Sequence, residues 1–298
     1  MRFFIVDCFA ERPYQGNQLL VVVADRPVPD VEQQAIAREI NFSETAFVLS
    51  GRKPDGGYDV RIWTPNVGEV PFAGHPTLGT AHVIRRVLER EAGEAPQGPV
   101  LLDLKVGRIP VAEAGDGMVM SQNPPTLGAT YDPAEVAEVF GLSPDDIRRD
   151  LPVQWASTGL EAVLVPLAGR VALARLRHDR GPFAAYVARH PECNCNHLFF
   201  WDGGEVGRDG APVLHARCLM EDFVEDPATG SANGDLAAYL MEQGYFGTPK
   251  ARWKVLQGED MGRASVLDVR AARRGVGRDG WTIEVGGRCH VVARGEWG

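Results

Sequence analysis

The sequence contains two similar segments about half its length apart. Residues 60–76 and 216–232 each contain an apolar strand, a loop and a helix that opens with glycine. This spacing is close to half of the 298 residues and predicts two copies of one α+β unit rather than a solenoid of many repeats. Five residue pairs are identical at an offset of 156: Arg61 and Arg217, Glu69 and Glu225, Pro71 and Pro227, Gly74 and Gly230, and Ala81 and Ala237.

The repeat suggests a division of the chain. We expect an N-terminal α+β domain over residues 1–122 and a second over 123–280, with final strands near 281–298 crossing back to the first. Helices are predicted after Gly74 and over 231–243, and both are apolar nearly all round, which is typical of helices buried inside a sheet or barrel. A further helix is expected over 31–40. Strands are predicted at 2–8, 18–24, 45–50, 58–64 and 100–105.

Composition narrows the classes of partner. Lys and Arg number 31 against 40 Asp and Glu, which gives a formal net charge of −9, and there is no basic run. This balance argues against a nucleic acid or an anionic membrane as partner. The longest apolar run near the N-terminus, Leu19 to Ala24, is far shorter than the ~20 residues that a membrane-spanning helix needs. We expect a cytoplasmic protein without a targeting segment.

The cysteines favour the same compartment. The chain has five cysteines, and an odd number in a long chain is typical of a protein in a reducing cytoplasm, where disulfides do not form. Cys193, Cys195 and His197 lie close together in the sequence, in a segment expected to be a loop that enters the strand His197 to Trp201. No second pair of ligands completes a site, so we expect no metal ion here.

The two repeat loops place small residues at the start of a buried helix. In Ala73–Pro76 and Thr229–Ala232, glycine allows close approach to the backbone, and the helix N-terminus offers N–H groups and positive dipole charge. A single such loop is more often a simple helix cap. Two matched loops favour a carboxylate or another oxyanion as ligand, held in a cleft between the two domains.

Residues that differ between the copies are candidates for chemistry, because the duplicated scaffold does not require them. Asp226 stands where the first copy has Val70, and His75 stands where the second has Ser231. Both are titratable residues beside the paired loops.

Several motifs, in order along nearly the whole chain, resemble the phenazine-biosynthesis PhzF-like family. The resemblance implies the diaminopimelate-epimerase-like fold: two pseudo-symmetric α+β domains, each a curved, mostly antiparallel sheet around a central helix, with the site between them. A homodimer is also implied. Gln18 departs from the proline usual in the family. The motifs are Val6–Phe9, Gly16–Asn17, Asn41–Thr45, Phe72–Gly79, Ser157–Gly159 and Glu225–Ala232.

Epimerases and racemases of this superfamily use two opposed cysteines, one in each helix-opening loop. The corresponding residues here are Ala73 and Thr229, and no cysteine falls in either loop. The PhzF-like branch instead uses one glutamate, matched by Glu44. A single carboxylate can remove and return a proton on the same face of a substrate, with no metal and no cofactor.

The resemblance also assigns the remaining roles. His75 and Asp226 are expected to hydrogen-bond the substrate's amino or hydroxyl groups. Apart from the resemblance, we hypothesise that four aromatic residues form an apolar wall near the glutamate: Phe42, Phe47, Trp63 and Phe72. The matched site residues are catalytic Glu44, His75 and Asp226, and substrate-binding Asn17, Gly74, Gly230 and Ser231.

The expected function is therefore an isomerase that shifts a proton on a small carboxylate-bearing metabolite. Two alternatives stay open: a binding protein of the same fold that has lost turnover, and an amino-acid epimerase. The epimerase requires that Cys8 or Cys218 reach the cleft. Phenazine synthesis itself does not follow from the resemblance.

Overall fold

The computed structural model describes residues 1–95, 98–275 and 280–297. The strands are β1 (Arg2–Cys8), β2 (Asn17–Val23), β3 (Glu44–Val48), β4 (Gly57–Thr64), β5 (Gly68–Val70), β6 (Val100–Leu104), β7 (Gly107–Ala114), β8 (Gly117–Ser121), β9 (Thr126–Tyr131), β10 (Val153–Ser157), β11 (Glu161–Pro166), β12 (Asn196–Val206), β13 (Pro212–Leu219), β14 (Glu225–Asp226), β15 (Lys250–Gln257), β16 (Ser265–Arg273), β17 (Trp281–Gly287) and β18 (Cys289–Glu296).

The helices confirm the sequence-based expectations to within one residue where a range was predicted. They are α1 (Asp30–Ile40), α2 (Gly74–Val83), α3 (Glu89–Glu91), α4 (Pro133–Val139), α5 (Arg170–Arg175), α6 (Arg180–Arg189) and α7 (Gly230–Glu242). A π-helical turn, Ile84–Leu88, joins α2 to α3, and 3-10 turns cover Pro144–Asp146, Pro191–Cys193 and Glu259–Met261.

The chain forms two compact units. Unit 1 comprises Met1–Ser121 and the residues from Gly286 onward, and unit 2 comprises Gln122–Val285. The division falls one residue before the boundary expected after 122, and the chain returns to unit 1 at Gly286 rather than at 281.

Each unit has the same order of strand pairing. In unit 1, β1 and β2 are antiparallel, β2 and β3 parallel, β3 and β4 antiparallel, β4 and β6 parallel, and β6 and β7 antiparallel. In unit 2, the pairs β10–β11, β11–β12, β12–β13, β13–β15 and β15–β16 repeat that sequence of directions. A short strand, β5 or β14, adds to β4 or β13 on the way to the central helix.

The strand register agrees with the offset found in the sequence. Val70 pairs with Ile62 in unit 1, and Asp226 pairs with Cys218 in unit 2, so Asp226 occupies the place of Val70. In both hairpins an arginine makes a two-pronged ion pair with the glutamate before that position: Arg61 with Glu69, and Arg217 with Glu225.

One helix lies at the centre of each unit. Helix α2 contacts β1, β2, β3 and β8, and α7 contacts β10, β11, β12 and β16. Nearly every residue of both helices is buried, as their all-round apolar character predicts. Among the described residues, no helix is long and apolar enough to cross a membrane.

Gly79 shows how closely α2 packs on its sheet. A Cβ at this position would lie 2.6 Å from both Cys8 Sγ and Leu19 Cδ2, and both of those residues are fully buried. We expect Gly79→Ala to lower the free energy of unfolding by about 1–3 kcal/mol, because overpacking displaces buried side chains. Urea denaturation of the variant measures this.

Gly181→Ala is the matched control. This glycine is also helical, in α6, but a Cβ there meets open space. Alanine is the better helix former, so this change should leave stability unchanged or slightly raised. Equal losses in the two variants would contradict the packing argument.

Candidate active site

Glu44 enters unit 1 at the start of a strand. Helix α1 is closed by the next residue, Asn41, which has a left-handed conformation (φ 57°) and donates its N–H to Ala37 O. Three residues later β3 begins, pairing in parallel with β2, and Glu44 lies beside Leu19. The Glu44 side chain is 16% exposed, and its Oε2 lies 3.5 Å from Nε2 of His75.

His75 is a buried residue in the first turn of α2. Its Nδ1 lies 3.1 Å from the side-chain nitrogen of Asn17, whose oxygen in turn accepts a bond from Ser43 Oγ at 3.4 Å. Burial lowers the pKa of His75 to about 3, and a backbone hydrogen bond with Gln18 opposes this only in part. The imidazole is therefore neutral at physiological pH.

Because the imidazole is neutral, its contact with Glu44 is not electrostatic attraction between opposite charges. The two groups form no ion pair, and 3.5 Å is long for a hydrogen bond. The Asn17 side chain faces Nδ1 of the ring, and the Glu44 carboxylate faces the other ring nitrogen, Nε2. Glu44 thus lies beside an uncharged imidazole.

Unit 2 contains a second cluster around Asp226, which is 7% exposed. Its Oδ2 accepts a 2.6 Å hydrogen bond from the hydroxyl of Thr229. Thr229 immediately precedes α7, whose first two residues are Gly230 and Ser231, both buried. The loop therefore places a carboxylate three residues before the N-cap of a helix.

The N-termini of the two central helices both lack a side-chain cap. Neither Ala73, before α2, nor Thr229, before α7, makes a side-chain cap hydrogen bond. Alanine has no group to do so, and the threonine hydroxyl is directed to Asp226 instead. Backbone N–H groups at both helix starts therefore lack the usual side-chain acceptor.

Gln257 belongs to the second cluster, and sequence reasoning missed it. This fully buried residue ends β15, and its amide bonds Asp226 and Thr229. The strand register makes it the counterpart of Leu104 in unit 1. Leu104 and Gln257 do not lie at the offset of 156, so the exchange of a leucine for a glutamine between the copies is visible only once the strand pairing is known.

The expected aromatic wall is wrong for Phe47 and Trp63. Side chains alternate along a strand, so Phe47 lies on the opposite face of β3 from Glu44, and Trp63 pairs with Thr45 on that face. Both pack in the core cluster that includes Ile36 of α1.

Neither cysteine required by the epimerase alternative is suited to act as a base. Cys8 and Cys218 are fully buried, and burial raises the pKa of each thiol well above its usual value. Thiolate is the reactive form, so both are in environments that suppress it.

The seven predicted site residues divide between the two units. Unit 1 brings Glu44, His75 and Asn17 together, and unit 2 places Asp226 four residues before the start of α7. The unit 1 members are Asn17, Glu44, Gly74 and His75, and the unit 2 members are Asp226, Gly230 and Ser231.

Comparison with known proteins identifies the family. Residues 6–295 match the model of the phenazine biosynthesis-like proteins. The chain belongs to this family. It is similar to a trans-2,3-dihydro-3-hydroxyanthranilate isomerase from Pseudomonas aeruginosa, with 32% identity over 99% of this chain and 98% of the relative.

Solved structures of family members agree with the fold. A PhzF family protein from Bacillus anthracis is 25% identical, with a TM-score of 0.84 over 100% of this chain and 98% of the other. A predicted epimerase from Pseudomonas aeruginosa is 32% identical, with a TM-score of 0.77 over 99% and 98%. The protein is an α+β isomerase of the PhzF-like family.

Proposed function

We propose that this isomerase shifts a proton between two carbons on one face of a small carboxylate-bearing metabolite, without a metal or a cofactor, and that Glu44 carries the proton. The observation that carries this proposal is the position of the Glu44 carboxylate, 3.5 Å from the buried, neutral His75. A charged carboxylate accepts a proton, and its protonated form returns it.

The other site residues support this chemistry. Neutral His75 places no positive charge beside the base, and the side chain of Asn17 contacts its ring at Nδ1. Asp226 accepts hydrogen bonds and suits an amino or hydroxyl group of the substrate. Gly74 in unit 1, and Gly230 and Ser231 in unit 2, lie at helix starts without side-chain caps and suit a substrate carboxylate.

Solvent exchange tests the proposal directly. The protein is dialysed against chelator and incubated in deuterated water with a panel of small carboxylates, starting with trans-2,3-dihydro-3-hydroxyanthranilate, the compound in the name of its relatives. Mass spectrometry and NMR should detect an isomerised, deuterated product. Binding of a panel member without exchange would show a binding protein instead, and activity lost to chelator would exclude the metal-free mechanism.

We expect Asp226→Asn and His75→Ala to slow exchange by about 100-fold each, less than a change at Glu44, because both residues position the substrate and stabilise charge rather than carry the proton. Steady-state exchange rates check this. Asp222→Asn, in the exposed part of the same hairpin, is the control and should keep the wild-type rate. Wild-type rates in both site variants would remove these residues from the mechanism.

A further inference from the structure

The amide of Gln257 is fully hydrogen-bonded inside unit 2. Its nitrogen donates to the backbone oxygen of Asp226 at 2.8 Å and to the hydroxyl oxygen of Thr229 at 2.9 Å. Its oxygen accepts from the backbone N–H of Thr229 at 3.3 Å and from the side-chain nitrogen of Asn233 at 3.0 Å. Backbone groups at both ends of the amide fix which atom is nitrogen, because a carbonyl only accepts and an N–H only donates.

This orientation of the amide sets the direction of the hydrogen bonds that run from Gln257 through Thr229 to Asp226. The Gln257 nitrogen only donates, so the Thr229 hydroxyl oxygen accepts from it. The hydroxyl carries a single proton, and the atom within 2.6 Å that accepts it is Oδ2 of Asp226. Donation to a carboxylate favours its ionised form and fixes its orientation.

We propose that Gln257 and Thr229 are positioning residues that hold Asp226 ionised and oriented as a hydrogen-bond acceptor for the substrate. This inference rests on the proposed function in placing Asp226 against the substrate. The inference goes beyond the proposed function because it names the residues that set the charge and orientation of the Asp226 carboxylate. It also requires that the substrate have a hydrogen-bond donor where it contacts Asp226.

The duplicated fold supplies independent support. By offset and register, the unit 1 counterparts of Asp226, Thr229 and Gln257 are Val70, Ala73 and Leu104. All three polar members are thus replaced by apolar residues. Unit 1 has the same strand pairing and central helix without them, so the fold of a unit does not need this chain of hydrogen bonds.

Thr229→Val, which keeps the shape and removes the hydroxyl, and Thr229→Ser, which keeps the hydroxyl, test the inference. Thr80→Val is the control, since the Thr80 hydroxyl is buried without a hydrogen-bond partner among the described residues. The first readout needs no substrate: the Asp226 carboxyl carbon is titrated by ¹³C NMR, with Asp226→Asn for assignment. We expect its midpoint to move up by about one pH unit in Thr229→Val and to stay near wild type in the other two variants.

The second readout is the pH profile of kcat/KM for the panel member that exchanges deuterium. Thr229→Val should lose about 10-fold at neutral pH, with its acid limb moved to higher pH, and Thr229→Ser should restore both. Gln257→Glu, which replaces the donor with an acceptor, should resemble Thr229→Val. Absence of exchange in the wild type would overturn the proposed function, whereas an unchanged NMR midpoint in Thr229→Val would overturn this inference. A moved midpoint with an unchanged rate profile would overturn the positioning role.

Discussion

Glu44→Gln should reduce deuterium incorporation into a turned-over substrate by about 10³-fold, because the amide neither accepts nor returns the proton at a useful rate. Glutamine has nearly the same shape and can still face Nε2 of His75. Substrate affinity should therefore change little, which isothermal titration calorimetry measures on the variant. The expected pattern is a loss in kcat at nearly constant dissociation constant.

Glu69→Gln is the matched control for this substitution. Glu69 is a partly buried glutamate of the same unit, but it is bonded to Arg61 in the β4–β5 hairpin rather than to a site residue. This variant should lose some stability and keep its exchange rate. If Glu44→Gln turned over at the wild-type rate, another group would have to move the proton.

The internal repeat carried most of what the sequence predicted. Its offset of 156 reappears in the strand register, where Asp226 takes the place of Val70. Local sequence patterns were enough to predict the repeated unit, because its strand, short loop and apolar helix follow one another directly in the sequence. The resemblance to the PhzF-like family added Glu44, which no repeat or spacing argument selects.

Two features depended on long-range pairing and were not predicted. Gln257 meets Thr229 because β13 and β15 pair in parallel, and a lone glutamine at a strand end has no pattern of its own. The direction of Phe47 depended on where β3 begins. Once the strand starts at Glu44, alternation sends Phe47 to the opposite face.

Asp235 is another residue that differs between the two copies, and its effect is on stability. It stands in α7 at the position of Gly79 in α2 and is fully buried. Oδ1 accepts bonds from the N–H and the hydroxyl of Thr158, at 2.6 and 2.8 Å, while Oδ2 has no partner among the described residues. Burial raises the pKa of this carboxyl well above its usual value, against the opposing effect of Thr158.

This shift links the stability of the fold to pH. An aspartate in the unfolded chain ionises near pH 4, whereas Asp235 in the folded chain keeps its proton to higher pH. The folded state then binds more protons than the unfolded state, so the free energy of unfolding falls as pH rises above about 4, until the folded group ionises. The stabilising contribution of the neutral form is fully present below that value.

Asp235→Asn should remove this dependence. Asparagine keeps an oxygen for Thr158 and carries no charge, so the variant should be more stable than the wild type at pH 7, by about 1.4 kcal/mol for each unit by which the pKa is raised. The difference should vanish near pH 3, where Asp235 is neutral in both states. Urea denaturation at a series of pH values measures both curves, and Asp145→Asn, at an exposed carboxylate, should follow the wild type. Parallel curves for Asp235→Asn and the wild type would mean that the buried carboxyl ionises as readily as in the unfolded chain, which its burial and its unpartnered oxygen argue against.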